Sequence, residues 1–99
     1  MNYLLTESQL EKSVFRIFDL KFKNLEYRSK PNREGYFGFY DKETGESVLI
    51  TSISSRKYLW YVYFPYFEEV NFLGFSKFVE MLQTYVNNKY PWLKITDIY

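Results

Sequence analysis

Apolar side chains recur at helical spacing towards both ends of the chain and at a two-residue period between them. Leu10, Val14, Ile17 and Phe18, extended by Phe22 and widened by Phe15, form one stripe, while Glu11, Lys12, Arg16, Asp19 and Lys23 take the remaining faces. That is the pattern of an amphipathic helix lying on a core, and it predicts one over about residues 7–22. Its start is encoded in Thr6-Glu7-Ser8-Gln9, where the Thr6 hydroxyl can accept from a first-turn amide while Gln9 reaches back to the cap. A second stripe of Phe75, Phe78, Val79, Leu82 and Val86, with Lys77, Glu80, Gln83, Asn87 and Asn88 opposite, predicts a helix over about 73–89. It stops at Tyr90-Pro91, because the residue before a proline is pushed out of helical geometry.

Between the helices the runs are short and rich in aromatic and β-branched residues, as strands are. Tyr36 to Tyr40 and Ser47 to Ile53 flank Asp41-Lys42-Glu43-Thr44-Gly45-Glu46, where Gly45 supplies the left-handed residue of a bulged hairpin. Asn24-Leu25-Glu26-Tyr27-Arg28 alternates and predicts an earlier edge strand. The run from Lys57 to Phe64 is apolar or aromatic on both alternating faces, which a one-sided strand does not need. Either it is central and covered twice, or one face is presented to a ligand or to another copy. Pro65 ends that ladder, having no amide hydrogen to donate. Glu68-Glu69 reads as a solvated loop preceding the second helix, and residues 92–99 as a last short strand or an extended cover. The expected architecture is α+β in a single domain, residues 1–99: an N-terminal helix, an antiparallel meander of three or four strands (36–40, 47–53, 57–64), and a C-terminal helix across one face.

Composition then narrows the chemistry. The 99 residues include 11 Tyr, 10 Phe and 2 Trp but no His and no Cys. An imidazole base, a thiolate nucleophile and a zinc site built on either are therefore excluded. The glycines form neither a phosphate-binding loop nor a dinucleotide fingerprint, and Glu68-Glu69 has no third acid at a metal-binding spacing. No catalytic residue, metal or cofactor is assigned, and a non-enzymatic role is expected. The N-terminus lacks an export signal, no apolar run reaches the roughly 18 residues of a membrane span, and the absence of cysteine favours a reducing cytoplasm.

Binding remains. If Tyr58, Trp60, Val62 and Phe64 lie under the helices, Leu59, Tyr61 and Tyr63 lie opposite, and with Phe37 and Phe39 of the meander they make the candidate aromatic face. Tyrosine and tryptophan anchor interfaces because they bury large areas at little rotamer entropy, so a protein partner, a homodimer or a higher oligomer is expected. The alternative is a nucleotide or single-stranded nucleic-acid binder in which those aromatics stack bases. Its phosphate contacts would come from the basic segment Lys21, Lys23, Arg28, Lys30 and Arg33. Phe37-Gly38-Phe39-Tyr40 overlaps part of the RNA-recognition-motif consensus. Gly35, Tyr36 and Lys42 depart from it, however, and a helix-first order is not that family's. A net charge of +1 also gives little general attraction to phosphate.

The opening Leu4-Leu5-Thr6-Glu7-Ser8-Gln9-Leu10 followed by an amphipathic helix resembles the start of small accessory proteins of tailed bacteriophages. The resemblance covers only this N-terminal segment and carries no site residues. It implies a virion or accessory role, or an inhibitor that occupies a host defence protein or soaks up a signalling nucleotide, in the host cytoplasm.

Overall fold

The computed structural model describes residues 6–31, 33–52 and 59–99. Its elements run α1 (Glu7–Lys23), β1 (Leu25–Arg28), β2 (Tyr36–Asp41), β3 (Ser47–Ser52), β4 (Trp60–Val62), a 3₁₀ run (Phe64–Leu73) and α2 (Phe75–Lys89). The four strands form one antiparallel meander in the order β1-β2-β3-β4, so the fold is the α+β arrangement the pattern predicts.

Local chemistry explains most boundaries. The capping box forms as expected, with the Gln9 amide donating to Thr6 Oγ1 at 3.2 Å and the Thr6 amide to Gln9 Oε1 at 3.1 Å. In the β2–β3 turn Asp41 Oδ1 accepts from the amides of Glu43 (2.8 Å) and Thr44 (3.0 Å), and Gly45 at φ 75° donates to the Asp41 carbonyl. The pairing then skips Val48, since Phe39 faces Leu49 while Tyr40 faces Ser47.

Two stretches differ from expectation. Regular pairing in β4 covers only Trp60–Val62 of the 57–64 run, and residues 57 and 58, like Ile53 at the end of the predicted third strand, lie outside the described residues. The expected loop at Glu68-Glu69 is instead part of the 3₁₀ run, kinked at Phe67. Pro65 suits the first turn of such a helix, whose early amides have no internal acceptor. The run drives Phe67 and Val70 into the core, both fully buried, while Glu68 and Glu69 stay at the surface.

Both helices and the 3₁₀ run lie on one side of the sheet. Phe18 meets Phe67, Phe78 and Tyr85 at ring-centroid distances of 5.8, 6.0 and 5.3 Å, and Phe22 stands edge-on to Phe39 of β2 at 5.2 Å. The tail closes the far edge of the sheet. Ile98 forms a parallel bridge with Trp60, the Trp60 amide donates to Asp97, and the amides of Val62 and Tyr99 donate to Tyr99 and Trp60. Asn87 of α2 holds the tail from the helix side, donating to the Ile95 carbonyl (2.7 Å) and accepting from the Ile95 amide (2.8 Å).

Gly38 is a packing requirement. Its φ is 139°, and a Cβ there would stand 2.3 Å from the Leu49 carbonyl oxygen and 2.9 Å from Ile50 Cα, both backbone atoms. Gly38→Ala is therefore expected to lower the unfolding free energy by about 3 kcal/mol. Gly45→Ala, strained in φ but with nothing within 4 Å, should lose about 1 kcal/mol. Urea denaturation of the two variants checks this, and equal losses would contradict the steric assignment.

Candidate binding surfaces

Strand parity decides which aromatics share a face. Phe37, Thr51 and Trp60 stand in one cross-strand row, and Phe39, Leu49 and Val62 in the next. Both rows point towards the helices. Phe39 is 2% exposed and packs against Phe22, Tyr27 and Tyr90, so it belongs to the core and not to an exposed face. Phe37 is half-buried on that same side, its ring 6.2 Å from Trp60. The predicted patch is thus divided by the sheet, because Phe37 and Phe39 have the parity of Trp60 and not that of Tyr61.

On the other face Tyr61 neighbours Ile50, and Ile50 neighbours Gly38. Tyr61 and Tyr63 are 46% and 53% exposed, and Tyr99 of the tail, 58% exposed, brings its ring to 6.4 Å from Tyr61. Ser47, Ile50, Tyr61 and Tyr63 line a shallow hollow of about 190 Å³. Leu59, half-buried, leads into β4, and its carbonyl accepts the hydroxyl of the fully buried Thr51 at 2.8 Å. Tyr99 was not singled out from the sequence; its place beside Tyr61 arises from the parallel bridge of the tail to β4.

The five basic candidates are not one cluster. Lys21, on α1, pairs with Glu69 at 2.8 Å and lies 5.0 Å over the Tyr66 ring. Arg28 has the parity of Gly38 and so emerges on the opposite side of the sheet. There it pairs with Glu26 at 2.6 Å and covers the Tyr40 ring at 4.6 Å. Lys23, Lys30 and Arg33 are exposed. Contiguity in sequence fails here because the chain passes from the helix layer into the sheet at Asn24.

A second hollow lies on the helix side, at the margin of the sheet. Tyr27, Phe37, Trp92 and Leu93 wall an open cleft of about 280 Å³, with the buried Trp60 at its base. Tyr27 and Trp92 meet edge to face at 4.9 Å, and Trp92 remains 59% exposed. Sequence reading missed this site, although Trp92 directly after Pro91 was a large aromatic without a place in either helical stripe.

The polar cluster between the helices serves a structural purpose. Tyr85 donates its hydroxyl to Asp19 Oδ1 at 2.6 Å, with Lys89 Nζ 3.4 Å from the same oxygen. Burial, reinforced by the Asp19 carboxylate, pushes the Tyr85 phenol far above its ordinary value, so it stays a proton donor that ties α2 to α1. Among the described residues no group of three or more acids is placed to hold a metal ion, and no helix is long and apolar enough to cross a membrane. The chain matches no family model, no curated protein and no solved structure.

Asp19 and Asp41 both titrate below the ordinary value of 3.8, Asp19 chiefly through the Tyr85 hydrogen bond and Asp41 through the amides of Thr44 and then Glu43. A carboxylate with a lowered folded-state pKa stabilises the fold above its unfolded value and loses that contribution as pH falls through the folded one. Stability should accordingly decline from about pH 5 downwards. Asp41→Asn keeps an acceptor for the turn but removes the titration, so its decline should be shallower in denaturation series at stepped pH. Parallel curves would show that Asp41 contributes nothing to the acid limb.

Proposed function

We propose that this chain is a non-enzymatic interaction domain that docks a protein, a second copy of itself first of all, through the sheet face opposite the helices. The observation that carries this reading is the strip of Tyr61 of β4, Tyr63 just past its end and Tyr99 of the tail bridged to it, each about half exposed. Side chains of this type combine apolar area, few rotatable bonds and a polar tip, the combination that favours interface anchors. The strip rests on a rigid support, since Ile50 and Tyr61 are paired across β3 and β4 and the tail is pinned by Asn87. An accessory protein that acts by occupying its partner, of the kind the N-terminal resemblance implies, needs only such a surface.

Scale sets the expected strength. Three half-exposed tyrosines offer about 300 Å², well below the roughly 800 Å² per partner of a standard stable complex. The association through this strip is therefore weak and concentration-dependent. Sedimentation velocity across a wide concentration range should show reversible dimerisation. Tyr61→Ala combined with Tyr63→Ala should weaken it by about tenfold or more, leaving the urea midpoint of the monomer unchanged. A chain that stays monomeric throughout, or a double variant that assembles like the parent, would remove the strip from consideration.

A further inference from the structure

The aromatic cleft on the helix side lies across the sheet from the tyrosine strip. Its walls come from three separate segments: Tyr27 from β1, Phe37 from β2, and Trp92 and Leu93 from the tail. Each of these segments carries an exposed cation close by in the chain. Lys30 follows Tyr27 by three residues, Arg33 precedes Phe37 by four, and Lys94 is next to Leu93. At about 3.3 Å per residue, the first two backbones lie within about 10–13 Å of the cleft walls, a span that long basic side chains shorten further. Among the described residues none of the three enters an ion pair, whereas Lys21 and Arg28 are both held by carboxylates.

From this juxtaposition we propose that the cleft binds an unpaired base of a single-stranded nucleic acid, with Lys30, Arg33 and Lys94 holding the flanking phosphates. Aromatic rings accept any base through its π-face, and cations arranged around them track the backbone. A base inside a duplex keeps its faces stacked on its neighbours, so only an unpaired strand presents one to Trp92. A cation on each of the three wall segments disfavours the other usual guest of an aromatic cleft, a quaternary ammonium group, which it would repel. It also favours a strand over a free nucleotide, because the three cations belong to three separate segments of the chain and not to one loop that could close on a single phosphate. This places the phosphate contacts in the β1–β2 connection and the tail, not along the whole 21–33 segment, and it does not depend on the protein-docking role of the opposite face.

The two tryptophans of the chain, Trp60 and Trp92, both line this cleft, so intrinsic fluorescence reports its occupancy directly. The full chain would be titrated at low salt with an oligothymidylate of about 12 nucleotides, a length within the usual span of one single-strand site. Saturable quenching is expected, with affinity falling as salt rises. Trp92→Ala, which removes an exposed ring, should weaken binding by about tenfold or more. Lys30→Ala with Arg33→Ala should reduce the log–log salt slope by about 1.4, two contacts at about 0.7 each, while preserving the parent's urea midpoint. The proposal is overturned by an absence of quenching, by a Trp92→Ala protein that binds like the parent, or by thymidine monophosphate binding as tightly as the oligomer. Salt-independent quenching by a proline-rich peptide, with none by the oligonucleotide, would likewise reassign the cleft to a protein ligand.

Discussion

The edge-to-face contact of Phe22 with Phe39 joins the two layers of this protein. Phe22 comes from the last turn of α1 and Phe39 from the centre of β2, and only two residues after Phe22 the chain turns at Asn24 into β1. The ring contact therefore fixes where the helix layer meets the sheet. Around it the helices and the 3₁₀ run contribute Phe18, Phe67, Phe78 and Tyr85, which contact one another edge-on or tilted. Such geometries set the electron-poor edge of one ring against the face of the next and add about 0.5–1.5 kcal/mol per pair beyond buried area. A 99-residue chain without disulfides relies on this density of large rings to bury enough surface.

Because that contact commits Phe39 to the helix side, it also determines what the other side displays. Parity sends Tyr61 outwards, and the bulge at Val48 adjusts the β2–β3 register near the hairpin. Gly38 lets the β2 backbone come close to β3 beside Ile50. Both faces are thus specialised by one register: rings that interlock on the helix side, tyrosines presented on the other. The cleft forms where Tyr27, Phe37 and Trp60 of the sheet are met by Trp92 and Leu93 of the tail.

The tail itself is held by polar contacts as much as by apolar ones. Asn87 uses both ends of its amide on Ile95, and the backbone of residues 97–99 continues the sheet beyond β4. These bonds place Trp92 at the cleft and Tyr99 beside Tyr61, so one short segment contributes to both surfaces.

The local rules were legible in the chain. Thr6 and Gln9 announced α1, the Asp41 to Gly45 turn announced the hairpin, Pro65 ended the ladder and Pro91 followed the second helix, because each acts through its own backbone or its immediate neighbours. The two helical stripes and the meander followed from periodicity for the same reason. The α+β architecture was therefore determined by sequence alone, whereas Tyr61 and Tyr63 followed outward only once Trp60 was known to lie under the helices. Other features depended on atoms distant in the chain. Phe39 was assigned to the wrong face because register is set by pairing across strands, and Glu68-Glu69 fell within a 3₁₀ run because Phe67 and Val70 had a core to enter. The basic segment was split because the chain crosses layers at Asn24. The cleft and the tyrosine strip were decided by tertiary structure, which alone brought residues 27, 37 and 92, or 61 and 99, to one place.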